Sequence, residues 1–208
     1  MLCDCACNQD LQMLDELCDL IINDDRTNGK VFFHSFAKIM KMDIQLLSKM
    51  KKAGFANLCF GLESALENVL KMMYKPYKRE DAEKIIKNAY AAGIEVDITI
   101  IIGFPGETDE DFDETVDFIE EIFMFLAEVH FNFYMMTSVL RNRFADIVDV
   151  NDKKVLEWNS KDMKNTFEIR KQRLSKVDKV LTAEFKYVEE DGMRYINTIN
   201  KRKQFRIL

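Results

Sequence analysis

The chain has 208 residues, 48% of them hydrophobic and 32% charged, with a formal net charge of −6 and a pI near 5.1. That is long enough for one domain with a real core, or a domain plus a tail. The acidic balance offers no basic face for a nucleic acid, and no apolar run approaches the roughly 20 residues that span a bilayer. Met1 leads into Leu-Cys-Asp-Cys and not into a basic run and an apolar block, so no signal peptide is expected and the expected location is cytoplasmic. In that compartment the five cysteines are expected as thiols. Cys3, Cys5 and Cys7 are spaced C-x-C-x-C, closer than structural zinc pairs or iron–sulfur loops, and read as a frayed, thiol-rich terminus.

Residues 11–22 place Leu11, Leu14, Leu17, Cys18 and Ile21 on one helical face. Asp24 to Gly29 is turn-like, and Val31 to Phe36 is a short aromatic strand candidate. Asp43 is an N-cap for a helix with Ile44, Leu47 and Met50 on its face, stopping at Ala53-Gly54. Asn57 to Gly61 is the next strand, followed by a short helix from Ala65 to Met73, broken at Tyr74-Lys75-Pro76-Tyr77. A second helix, Glu80 to Ala92, buries Ala82, Ile85, Ile86 and Ala89 and stops at Gly93.

The β-branched run Val96 to Ile102 then reads as a strand buried on both faces, and Gly103-Phe104-Pro105-Gly106 turns it sharply. Thr108 and Asp111 form a capping box for a helix from Thr108 to Leu126, with Phe112, Val116, Ile119 and Phe123 facing in. Val129 to Met136 is a third strong strand. Asn151 to Val180 reads as polar and helical, with Leu156, Met163, Phe167 and Leu174 as its spine. Glu184 to Leu208 reads as a hairpin about Glu190-Asp191-Gly192 with a basic tail, Lys201-Arg202-Lys203. A loose boundary separates residues 1–140 from an extension over 141–208.

Helix–Ala–Gly–strand–Gly–loop–Glu therefore occurs twice, and five of the seven glycines sit in these two units. Helices alternating with strands in this way imply βα units and a parallel sheet. If the two strands are neighbours, Glu63 and Glu107 emerge at one edge, where parallel α/β folds bind ligands and a carboxylate can accept from a ribose hydroxyl or an ammonium. Each could equally serve its helix start. The Gly103–Gly106 loop has the form of a phosphate cradle, but Asp109, Glu110 and Asp111 make the following helix start acidic and favour a neutral or cationic ligand. His34 and His130 read as strand packing. The methionines read as gap-fillers. An unrelated α/β enzyme using Glu63 and Glu107 as an acid/base pair is a rival reading.

Five blocks resemble consecutive blocks of the radical S-adenosylmethionine (radical SAM) enzymes, most closely the subgroup often fused to a cobalamin-binding domain. They are Leu47 to Phe55, Phe60-Gly61-Leu62-Glu63-Ser64-Ala65, Leu70 to Lys75, Ala92-Gly93-Ile94 and Ile102-Gly103-Phe104-Pro105-Gly106-Glu107-Thr108. Asp4 and Asn8 resemble an Asp-x-x-x-Asn that follows the second barrel strand in that subgroup. The resemblance covers roughly residues 4 to 136. It implies an α/β fold, a partial (β/α) barrel of the radical SAM type with a C-terminal α/β tail. It also implies a 4Fe–4S cluster and S-adenosylmethionine as cofactors, whose reductive cleavage would give methionine and a 5′-deoxyadenosyl radical. By that resemblance Glu63 and Ser64 would contact the ribose and methionine part, and Ile101, Ile102 and Gly103 would line the adenine. Pro105, Gly106 and Glu107 would complete that loop.

The family's C-x-x-x-C-x-x-C cluster loop is missing from the chain, so no metal ligand and no catalytic residue is assigned. The cluster is not expected to be held by this chain alone. The chain looks like the C-terminal two-thirds of a barrel, inactive by itself. It would be a truncated or split enzyme needing a cysteine-bearing N-terminal half as partner, or else a non-catalytic relic used as a binding module. A small-molecule or peptide substrate is expected without being identified, and neither nucleic acid nor membrane is expected as a partner.

Overall fold

The computed structural model describes residues 6–180, 184–190 and 193–199, with side chains through residue 177. In chain order the elements are α1 (Leu11–Asn23), β1 (Phe33–Ala37), α2 (Ile44–Lys52), β2 (Phe55–Glu63), α3 (Glu67–Met72), α4 (Arg79–Ala91), β3 (Glu95–Ile102), α5 (Asp109–Ile122), β4 (Glu128–Phe133), α6 (Ser138–Arg143), α7 (Phe167–Val180), β5 (Glu184–Glu190) and β6 (Met193–Ile199). Among the described residues they build one six-stranded sheet in the order β1-β2-β3-β4-β6-β5. The first four strands are mutually parallel, and β6 joins β4 antiparallel as one arm of a hairpin with β5. Strand, helix and next parallel neighbour follow one another from β1 to β4, the order of a partial (β/α) barrel.

The local signals act as their chemistry predicts. Asp10 caps α1 by accepting from the Met13 N–H, and Asp43 caps α2 by accepting from Leu46 N–H at 2.7 Å. Thr108 caps α5, accepting from the Asp111 N–H while the Asp111 carboxylate accepts from Thr108 N–H. One face of the sheet carries Leu58, Phe60, Leu62, Val96, Ile98, Ile100, Ile102, Val129 and Phe131, all buried against the helices with Leu47, Met50, Ile86, Phe112, Phe118 and Ile119. Each such side chain contributes about 1.5–3 kcal/mol. The residues between them, Cys59, Gly61, Glu63, Asp97, Thr99, Ile101, His130 and Asn132, are half-buried on the opposite face. That alternation corrects the expectation of a β3 buried on both faces. The inner face of the half-barrel is polar and open.

Several further readings are corrected. Residues 151–166 are not helical; α7 begins only at Phe167, and the short helix α6 was not anticipated. The cause is competition from polar side chains. Asp149 accepts from Asn151 N–H, Asp152 from Lys154 N–H, Asp162 from Lys164 N–H, and the Ser160 hydroxyl from Asn165 N–H, all near 3 Å. Met163, expected in an apolar spine, is exposed with a φ of 60°. Leu17, expected inward, is 37% exposed, and α5 stops at Ile122 before a 3-10 turn over Phe123–Phe125. His34 is exposed and His130 half-buried, both on strand faces. The hairpin over residues 184–199 is present, whereas Asp191-Gly192, Lys201-Arg202-Lys203, Cys3, Asp4 and Cys5 lie outside the described residues.

Candidate functional site

The site anticipated from the two repeats lies at the C-terminal ends of β2 and β3, which are neighbours in parallel register with Gly61 opposite Thr99 and Glu63 opposite Ile100. A register shift falls between Gly61 and Glu63. There the chain turns at once: Ser64 N–H donates to Leu62 O at 2.7 Å, and the residue between them, Glu63, has a φ of 61°. A left-handed conformation at a residue with a Cβ stores about 1–3 kcal/mol of strain, a feature that concentrates at binding sites. The conformation is held from outside. The Tyr77 hydroxyl donates to Leu62 O, and Lys75 Nζ lies 3.3 Å from Glu63 Oε1. Burial pushes the Tyr77 phenol up, so it remains a donor. Glu63 folds back over Gly61, where an added Cβ would come within 2.8 Å of its Oε1. Glu63 and Ile101 thus stand on the inner face of adjacent strands. Ser64 does not: it is buried, its hydroxyl sharing a 3.3 Å hydrogen bond with Thr115 and accepting from Leu66 N–H.

The end of β3 is built differently. Glu107 is 4% exposed and turned beneath the loop, where its Oε2 accepts from Gly103 N–H and from Arg173 Nη1, each at 2.7 Å. Arg173 also donates to Asp109 at 2.8 Å and to Glu107 O at 3.3 Å. Arg170, one turn earlier, donates to Asn165 Oδ1, Leu156 O and Trp158 O and lies 4.3 Å over the Trp158 ring. Asn165 Nδ2 in turn donates to Phe104 O, and Phe104 packs edge-on against Tyr134 and Phe144. Gly103 has a φ of 81°, and an added Cβ would come within 1.9 Å of Arg170 Cδ. The close approach that this glycine permits is therefore that of an arginine stem from α7. Burial pushes the Glu107 carboxyl up to about 7, offset in part by Arg173 and the Gly103 N–H. Burial, with Arg173 alongside, brings Arg170 down to about 10. Ile102 and Pro105 are buried, and Gly106 is exposed beside Met72 of α3. Of the anticipated set, Glu63, Ile101 and Gly106 keep an open side, while Ser64, Ile102, Gly103, Pro105 and Glu107 are enclosed.

A profile described as the Radical SAM superfamily matches residues 10–119, just over half of the chain. The chain belongs to that superfamily. Among curated relatives, a ribosomal protein uS12 methylthiotransferase RimO from Cytophaga hutchinsonii is 30% identical over 132 residues, covering 55% of this chain and 30% of that protein. A tRNA-2-methylthio-N(6)-dimethylallyladenosine synthase from Endomicrobium trichonymphae is 32% identical over 151 residues, covering 69% of this chain and 34% of that protein. The chain thus spans about a third of the length of such relatives. Among solved structures, coproporphyrinogen III oxidase HemN from Escherichia coli superposes with a TM-score of 0.60 at 14% identity, over 90% of this chain and 40% of that one. The methyltransferase TsrM from Kitasatospora setae, solved with tryptophan and a SAM analogue, gives 0.58 at 15% identity, over 96% and 39%. These two likenesses establish the fold, a partial radical SAM barrel.

Superfamily membership implies S-adenosylmethionine and a 4Fe–4S cluster. The described cysteines do not fit the cluster. Cys7 precedes α1, Cys18 lies on α1 and Cys59 on β2, all three free. Among the described residues no trio of converging ligand atoms includes a cysteine. Their surroundings also oppose the thiolate that a cluster requires. Burial raises Cys7, raises Cys18 to about 11 against the pull of Lys49, and raises Cys59 to about 12 together with the charges of Asp97, Glu63 and Glu128. Local sequence reasoning missed Arg170, Arg173, Asn165 and Trp158. The one available signal was two arginines a turn apart beside the apolar Leu174 and Val177.

Proposed function

We propose that this chain is the S-adenosylmethionine-binding, C-terminal part of a radical SAM enzyme of the methylthiotransferase kind, completed by a segment that carries the C-x-x-x-C-x-x-C loop. The observation that carries this reading is the half-buried Glu63 carboxylate folded over Gly61 at the end of β2, with the half-buried Ile101 at the end of the neighbouring strand β3. A half-buried carboxylate beside an apolar wall suits a cationic amino acid joined to a nucleoside. Ser64, Ile102, Gly103, Pro105 and Glu107 act in this reading as the frame of that pocket. Gly106 forms its lip. Reductive cleavage of S-adenosylmethionine needs a cluster that the described cysteines do not hold, so no step of it is assigned to these residues.

The edge of the sheet supports the need for a partner. Among the described residues β1 occupies one end of the strand order, where Phe36 is 53% exposed and only its carbonyl is met, by the Cys7 N–H at 2.9 Å. A strand edge beside apolar side chains is a template for further strands. Substrate recognition falls to other regions of the complete enzyme, and the proposed setting is the cytoplasm. No helix among the described residues is long and apolar enough to cross a membrane.

Anaerobic reconstitution with iron and sulfide, together with equilibrium dialysis against S-adenosylmethionine, tests the proposal. The expected result is ligand binding with no broad absorbance near 400 nm, the region of thiolate-bound clusters (approximate). A brown protein with about four irons per chain would overturn the missing-cluster part. The scattered cysteines also favour a second reading, a non-catalytic relic serving as a binding module. The DNA upstream of the Met1 codon separates the two: a C-x-x-x-C-x-x-C coding stretch there supports the split or truncated enzyme, and its absence supports the relic.

A further inference from the structure

The inner face of the half-barrel carries a second cluster at its opposite end. Asp97 stands opposite Glu128 in the β3–β4 register, and His130 opposite Thr99. One ligand atom from each of Asp97, Glu128 and His130 lies within 4.8 Å of the others. His130 Nε2 is 3.7 Å from Glu128 Oε2 and 4.0 Å from Asp97 Oδ2. Those separations are too long for direct hydrogen bonds. They are close to the roughly 3.4 Å that separates ligand atoms around a tetrahedral zinc with bonds of about 2.1 Å.

The Asp97 carboxylate adds an independent sign. Its Oδ2, the oxygen nearest His130, accepts from Asn57 Nδ2 at 2.8 Å, and its Oδ1 is wholly buried with no hydrogen-bond partner among the described residues. A buried carboxylate oxygen without a donor is costly, and a cation removes that cost. Asn57 orients the carboxylate as outer partners do around metal ions. Asp97 lies four positions before Ile101 on one strand, roughly 13 Å away at 3.3 Å per residue. The cluster is thus separate from the rim where S-adenosylmethionine is placed.

We propose that Asp97, Glu128 and His130 bind one first-row divalent cation of the zinc type on the floor of the half-barrel. One imidazole and two carboxylates suit such an ion better than a thiolate-seeking one, and three protein ligands leave a position for water. The ion pins β3 to β4 on the open face. It also adds one colourless iron per chain during iron reconstitution, independently of any cluster.

The test uses the chain with Cys3, Cys5 and Cys7 changed to serine, which removes the terminal thiols as competing ligands. After chelator treatment, Zn2+ is titrated by calorimetry and Co2+ by visible absorption. The expected result is one equivalent of each, cobalt bands without sulfur charge-transfer absorbance, and a higher unfolding temperature with Zn2+. His130→Ala and Asp97→Asn abolish binding, and Asn57→Ala weakens it by about 10- to 100-fold. Circular dichroism checks that each variant folds, with His130→Gln as the milder substitute. A chain that takes up no metal overturns the proposal. So does binding that persists in a folded His130 variant.

Discussion

The two repeat units follow one sequence pattern and end in opposite ways. In the first, Glu63 is the last residue of β2, and its left-handed turn folds the carboxylate back over Gly61 on the inner side beside Lys75. In the second, Gly103 starts a four-residue turn, and Glu107 is carried under it to Arg173, with side-chain exposures of 1% and 2%. Two acids with like positions in a motif thus have different work. One stays partly exposed beside Lys75 and the other braces the loop. What distinguishes them is a helix 60 residues further along the chain, reached by contacts of sequence separation 66.

If the second unit is a brace, attacks on it should unfold the protein. Gly103→Ala must place a Cβ 1.9 Å from the Arg170 stem at a φ of 81°. A loss of more than about 5 kcal/mol, or no soluble protein, is expected in urea denaturation. A near-normal midpoint would show that α7 can be displaced from the loop. Arg173→Met comes next. It leaves Glu107 buried without its cation and should cost about 3–5 kcal/mol at pH 8. The loss should shrink at pH 5.5, where Glu107 can take up a proton. Equal losses at both pH values would mean that the pair is not what holds the loop.

The third effect is smaller and has a defined sign. Burial raises Glu107 from 4.5 to about 7, so the folded chain binds this proton where the unfolded chain has released it. Its stabilising contribution is complete below about pH 4.5 and is lost as pH rises through about 7. Wild-type unfolding free energy should fall by about 1–3 kcal/mol more than that of Glu107→Gln between pH 5 and pH 8. Parallel pH profiles would show that Arg173 keeps Glu107 ionised throughout.

The same contrast explains what could be read in advance. β1 to β4, their helices and the caps at Asp43 and Thr108 were legible because each depends on residues within a turn or two. The capping box at Thr108–Asp111 is a four-residue event, and Val96 to Ile102 announces a strand wherever it occurs. The open inner face was not legible, because Asp97 and Thr99 were hidden among β-branched neighbours whose strand signal is the same on either face. The rim was half legible. The place of Glu63 follows from its position just after a strand glycine, but the enclosure of Ser64 depends on Thr115, and that of Glu107 on Arg173. Residues 151–166 misled because their spaced apolar residues mimic a helix, while the intervening Asp, Asn and Ser side chains take the backbone N–H groups that a helix would use.

The weakest structural effect is expected at the residue proposed to matter most for ligand. Glu63→Gln keeps the size and the position over Gly61 and removes only the charge facing Lys75. That pair is at a half-open rim, so the change in stability should be under about 1 kcal/mol. S-adenosylmethionine carries a cationic sulfonium and an ammonium, and loss of a nearby carboxylate should weaken its binding by about tenfold, the equivalent of about 1.4 kcal/mol. Calorimetric titration beside a urea melt separates the two quantities. Glu107→Gln should give the inverse result, with altered pH-dependent stability and ligand affinity held within about twofold, a difference of about 0.4 kcal/mol. If Glu63→Gln instead destabilises the fold and leaves binding intact, the strained turn at residue 63 is a structural device. The two glutamates would then be alike after all.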